Sequence, residues 1–198
     1  MPSKIRTQQR EETRRSLLRV SRRLFAAKGY AAVGLSEIVT DAGVTKGALY
    51  HHFDSKSELF AAVLEQIQHE VGERVLAAAD AVADPWGQLV TGCETFLTTC
   101  LDPEIQRIML IDGPAVLGWH EWRALDAAAS GRHLGDALTV LIEEGVIDRQ
   151  PVAPLTHLLS GAMNEAALWL ATSTDPHALA DATAALRRLM SALRTTTD

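Results

Sequence analysis

No run of about 18 uncharged apolar residues occurs anywhere in these 198 residues, and the first positions lack the apolar stretch of a secretion signal. The two absences predict a cytoplasmic protein with no membrane partner. Cysteine is scarce as well. Cys93 and Cys100 stand two turns apart on one helix face, too far for a bridge within that helix, so free buried thiols are expected. No strand-period alternation, hairpin signal or internal repeat recurs, which leaves an all-α fold. The chemistry of common enzymes is missing too. There is no Gly-x-Ser-x-Gly elbow, no phosphate-cradling glycine loop after a strand, and no cysteine pair at zinc spacing. His120-Glu121 opens like a zinc-protease helix, but Ala124 stands where the second histidine must be. No cofactor, metal site or catalytic residue is expected, and the chain is read as a non-enzyme.

What is present is a core-forming majority, 47% hydrophobic residues, and a net charge of −6. The average charge argues against a nucleic-acid binder, but its distribution does not. Up to Lys56 the chain carries eleven basic against five acidic side chains, a net of +6; beyond it, eight against twenty, a net of −12. A basic head on an acidic body confines any electrostatic footprint for DNA to the head.

Within that head, residues 34–60 are the most informative stretch. Gly34 can begin a helix whose Leu35, Ile38, Val39 and Ala42 share one face. Gly43 closes it in a left-handed conformation, Thr45 caps the next helix, and Leu49 and Phe53 give that second helix its buried stripe. Two short helices joined by so tight a turn form a helix-turn-helix. Lys46 falls in the first turn of the second helix. Lys56 falls in the first turn of a third, where Ser55-Lys56-Ser57-Glu58 reads as a capping box. A cation at a helix N-terminus costs about 0.3–1 kcal/mol against the macrodipole, and a phosphate held there would reverse the sign.

The rest reads as a succession of helices. Residues 9–28 form the first, with Leu17, Val20, Ser21, Leu24 and Phe25 inward, preceded by a flexible approach, Pro2-Ser3-Lys4-Ile5-Arg6, able to reach phosphates or a minor groove. A long amphipathic run from Lys56 to about Ala83 leaves the head and enters the body. Pro85 starts a helix to about Leu101, Pro103 begins a short one, and Gly113-Pro114 breaks the chain. Trp119 to about Gly145 is one helix with a kink at Ser130-Gly131, and Pro151 and Pro154 introduce the last two. The apolar faces of that final pair are wider than one body of this size needs, so two copies are expected to close a four-helix bundle. The boundaries are drawn at 1–56 for the head and 57–198 for the body.

The stretch Gly29-Tyr30, Ile38, Ala42-Gly43-Val44-Thr45, Gly47, Leu49-Tyr50, His52-Phe53, Lys56 and Leu59 resembles the TetR family of bacterial transcriptional regulators. The resemblance implies a homodimer with an N-terminal three-helix DNA-binding head, a ligand-receiving helical body, and repression of a palindromic double-stranded operator relieved by a small molecule. By position it implies DNA contacts from Thr40, Thr45, Lys46, Tyr50, His51 and Lys56, with Gly47 allowing the backbone close to the bases. Tyr50 is expected outward because Leu49 and Phe53 already define the core face. The family commonly has Thr or Ser at the residue capping the second helix, where this chain has Gly34. In the body, aromatic and sulfur side chains with a few polar anchors suit a small apolar effector, expected at Phe96, Met109, Trp119, Trp122, Asn164 and Trp169. The alternative reading is a DNA-associated interaction or architectural protein whose body binds a protein partner and no small molecule.

Overall fold

The structure, a computed structural model, describes residues 2–195, with side chains described from Thr7 onward. Among these residues there is no strand, and 79% of them are helical. Packing divides it into two compact units: residues up to Ile67 together with Arg107–Trp122, and Gln68–Gln106 together with the residues from Arg123 onward.

In the first unit, α1 (Pro2–Lys28), α2 (Leu35–Ala42) and α3 (Lys46–Tyr50) pack on one another, and α1 meets the first part of α4 (Lys56–Asp80) through Phe25 and Phe60. The inward residues expected of α1 are buried, and they meet Ile38, Leu49, Phe53, Leu59 and Phe60 in one core. Phe25, Tyr30 and Phe60 form its aromatic centre, with ring centroids 5.1–5.7 Å apart. The helix ends are where local chemistry puts them. Gly43 is left-handed at φ 67° and Thr45 Oγ1 accepts a hydrogen bond from Ala48 N at 3.1 Å. Two expectations change. The helix α1 begins at Pro2, not residue 9, because no glycine or internal proline interrupts the run and a proline in the first helical turn loses no intrahelical bond. The expected flexible approach is therefore helical, and where its side chains reach lies outside the described residues. Helix α3 ends at Tyr50, so Phe53 follows the helix, held by its N–H to Leu49 O at 2.9 Å and still buried.

Arg107–Trp122 belongs to this first unit. Its backbone is π-helical over Gln106–Asp112 and α-helical in α7 (Gly113–Leu117). Trp122 is buried, and its indole N–H donates to Met109 O at 2.7 Å. Asp112 Oδ2 accepts the Tyr30 N–H at 2.8 Å, just past Gly29, whose φ of 77° only glycine adopts readily.

The second unit contains the remainder of α4, α5 (Pro85–Thr99), α6 (Pro103–Ile105), most of α8 (Trp119–Ala128), α9 (Ser130–Glu143), α10 (Val152–Thr172) and α11 (Ala178–Ser191). Asp84 caps α5 through Gly87 N at 2.7 Å and Asp102 caps α6 through Glu104 N at 2.9 Å, each followed by its proline. The kink expected at Ser130-Gly131 is a full break at Ala129, where φ is −108° and ψ −107°. Gly131 lies so close that a Cβ would sit 3.2 Å from Asp126 O. Helices α5, α9 and α10 pack mutually, and α11 packs on α5 and α10. Along the last two helices Leu155, Leu159, Met163, Leu170, Leu186 and Met190 are buried, while Leu158, Trp169 and Leu189 are 72%, 50% and 61% exposed.

Candidate DNA-reading face and ligand cavity

Helix α3 buries Leu49 completely, half-buries Ala48 and presents its other residues outward. Thr45, Lys46, Gly47, Tyr50 and His51 are all exposed, Tyr50 by 51%. A Cβ on Gly47 would meet nothing closer than Thr45 Oγ1 at 3.8 Å. The fold therefore does not require glycine there, although glycine in a helix costs about 0.5–1 kcal/mol relative to alanine. Thr40 is exposed on the last turn of α2, its hydroxyl donating to Ser36 O at 2.8 Å. Gly34 starts α2 without a side-chain cap, and its carbonyl takes Glu37 N and Ile38 N at 3.1 and 3.2 Å.

Lys56 differs from these. Its ammonium donates to Tyr30 O and Val33 O, both at 2.8 Å, and lies 4.0 Å from the Tyr30 ring centroid. Burial pulls its pKa below the usual lysine value. Lys56 thus closes the Tyr30–Val33 loop by cation–π and carbonyl contacts, two of its three protons already placed. His52, half-buried, is held below the usual imidazole range, first by burial and then by Arg10 and Arg14.

In the second unit a cavity of about 270 Å³ opens between α4, α5, α9 and α10. Leu89, Cys93, Phe96, Leu134 and Met163 line it and are buried. Burial pushes the Cys93 thiol up to about 12, so it acts as an apolar wall and not as a nucleophile. Of the six residues expected to meet a ligand, only Phe96 lines this cavity. Met109 and Trp122 are core residues of the first unit, and Trp119 lies tilted by 43° against Trp122, ring centroids 5.1 Å apart, and is 66% exposed. Trp169 faces outward from α10.

Asn164 belongs to a different group, a buried polar cluster that nothing in the sequence pattern announced. Asp126 Oδ2 accepts from Arg123 Nη1 at 2.7 Å and from Ser160 Oγ at 3.0 Å, and Asn164 Nδ2 lies 3.5 Å from the same Ser160 Oγ. Burial raises the Asp126 pKa more than Arg123, Ser160 and Asn164 lower it. The Asn164 Oδ1 atom is buried with no hydrogen-bond partner.

Residues 17–63 match the family described as Bacterial regulatory proteins, tetR family, and residues 86–193 match Tetracyclin repressor-like, C-terminal domain. The chain belongs to the TetR family of transcriptional regulators. A crystal structure of a TetR-family transcriptional regulator from Pectobacterium atrosepticum superposes with a TM-score of 0.78 at 37% identity, over 96% of this chain and 98% of that one. The transposon Tn10 TetC protein of Escherichia coli is 29% identical over 151 residues, 76% of each chain. RolR in complex with resorcinol shares the fold with a TM-score of 0.72 at 21% identity, over 92% of this chain and 89% of that one.

TetR-family membership makes this protein a helix-turn-helix DNA-binding regulator with a helical ligand-binding body, and gives no support to the architectural alternative. No helix among the described residues is long and apolar enough to cross a membrane.

Proposed function

We propose that this TetR-family protein is a homodimeric repressor that places α3 of each protomer in a major groove and leaves a palindromic operator when a small, largely apolar molecule enters the α4–α5–α9–α10 cavity. The observation that carries the reading is the outward face of α3. Phosphate- and base-seeking side chains stand exposed there around Gly47, a glycine the fold itself does not require. Thr45, Lys46, Tyr50 and His51 are assigned to the groove and its phosphates, Thr40 to a phosphate at its edge, and Lys56 to holding the loop that carries Tyr30. The functional division is assigned near residue 56, where the charge changes sign. The RolR–resorcinol complex supports a small-ligand role for the helical body, and the exposed Leu158, Trp169 and Leu189 support pairing of two copies through α10 and α11.

Two measurements test this. Lys46→Ala should weaken binding to specific and non-specific DNA alike and flatten the salt dependence by about one counterion; an unchanged slope in a salt titration removes Lys46 from the interface. Ala137, which lines the cavity, should tolerate tryptophan by filling that space. Ala137→Trp should bind operator as the wild type does but no longer release it with effector. Normal release from this variant would place the effector elsewhere.

A further inference from the structure

The charges around the cavity carry one step more. Its floor is apolar, but Asp80, Asp136, Leu76 and Val140 among its lining residues are exposed, which sets them at the mouth. Asp80 is the last residue of α4, and Asp136 lies on α9. No lysine or arginine lines the space, and His133 is the only other ionisable group there besides the buried Cys93 thiol. The ion pairs described in this unit join Glu73 to His69, Glu70 to Arg74, Asp126 to Arg123 and Glu94 to Arg187, so neither mouth carboxylate is neutralised by one of them. The wider field has the same sign. Beyond Lys56 acidic side chains outnumber basic ones by twenty to eight. A carboxylate or phosphate ligand would enter against this field and find no cation. A neutral apolar ligand would leave both carboxylates at the mouth without a partner.

We infer that the cavity takes an organic cation, a protonated amine or quaternary ammonium carried on a compact apolar body. The apolar part lies against Leu89, Phe96, Leu134 and Met163, and the charged head stays at the mouth between the carboxylates of α4 and α9. Size agrees. A cavity of about 150 Å³ holds one benzene ring, so about 270 Å³ admits one ring with a substituted ammonium and excludes long-chain amphiphiles from full burial. Partly exposed carboxylates each contribute a severalfold preference for the cation, and two together about tenfold. The head remains in contact with water, so the desolvation cost of a fully buried charge does not arise. This inference rests on the reading of the cavity as the effector site and adds the charge of the effector.

The test compares three probes by isothermal titration with the full chain: benzyltrimethylammonium, its neutral isostere neopentylbenzene, and the anion 3-phenylpropanoate. The ammonium should bind at least tenfold more tightly than either of the others. The double variant Asp80→Asn/Asp136→Asn should lose about tenfold for the ammonium and nothing for neopentylbenzene, with an unchanged melting temperature, since both side chains are exposed. The inference falls if the neutral or anionic probe binds equally well, if the ammonium does not bind, or if the double variant binds it as tightly as the wild type. Release of operator DNA, followed in the same samples, is a separate readout. A neutral or anionic probe that binds, releases DNA and is blocked by Ala137→Trp leaves the sensor reading standing and removes the charge preference. Selective ammonium binding that leaves operator bound keeps the cation site and removes the sensor reading.

Discussion

Leu158→Glu should turn a dimer into monomers at micromolar concentration, with operator affinity falling a hundredfold or more. Leu158 is 72% exposed on α10, and Leu189, 61% exposed on α11, and Trp169, 50% exposed on α10, give the same helix pair further uncovered apolar surface. Exposed side chains of this size mark an association surface when they cluster. A carboxylate placed within a two-fold interface meets its own copy, and the two charges are desolvated together. Two heads bound to one operator gain about 10²–10⁴ in avidity from being joined, and a monomer forfeits that gain. The neighbouring position separates this effect from unfolding. Leu159 is 8% exposed, so Leu159→Glu should destabilise the protomer itself. Sedimentation velocity and circular dichroism on both variants distinguish the cases. A folded dimer of Leu158→Glu with wild-type operator affinity would exclude the α10–α11 interface.

The second large effect is expected at Asp126, 4% exposed and bonded to Arg123 and Ser160. Asp126→Ala leaves the mostly buried Arg123 guanidinium without its carboxylate and should cost about 3 kcal/mol, a fall of roughly 6–12 °C in melting temperature for a chain of this size. Asp126→Asn keeps an oxygen for Arg123 and Ser160 and should cost much less. Its pH dependence is diagnostic. Burial raises the folded-state pKa of Asp126 above its ordinary value of 3.8, so the folded protein binds the proton more tightly than the unfolded chain does. That contribution to stability is fully present below the unfolded value and is lost as pH rises through the folded one. The wild type should therefore lose stability relative to Asp126→Asn as pH rises from about 4 through the raised folded-state value. Parallel urea midpoints for the two proteins across that range would show that Asp126 is no more protonated in the fold than outside it.

Features set by near neighbours in the chain were legible before the fold was known. Thr45 caps α3 with an N–H group three residues away, and Gly43 closes α2 through bonds to Thr40 O and Val39 O. Helix type and order follow from such local rules and from the spacing of apolar residues. The ligand site was not legible, because an indole on a helix can line a cavity, fill a core or face water. Trp122 went to the core, with its N–H on a carbonyl thirteen residues back, and Trp119 and Trp169 went to the surface. The cavity depends on α4, α5, α9 and α10 meeting around Phe96, a long-range arrangement that no window of sequence contains. Lys56 shows the same limit for charge. Its position in a first turn is local information, but the carbonyls that receive it lie 23 and 26 residues away. Asp126 and Ser160, 34 positions apart, were invisible for the same reason.

The π-helical stretch Gln106–Asp112 also constrains which changes in chain length the protein tolerates. A π turn closes its bonds over five residues where an α turn uses four, so it stores surplus chain within an otherwise continuous helix. Removal of one residue within the stretch lets the backbone relax to α geometry and leaves the following residues close to their present phase, whereas the same removal from a regular α-helix, which holds no surplus, turns the residues after it by about 100°. What a deletion here would disturb are the contacts made from the stretch itself, Asp112 with the Tyr30 N–H and the Met109 carbonyl with the Trp122 indole. A change of length is absorbed locally here, where elsewhere it would be passed along the helix.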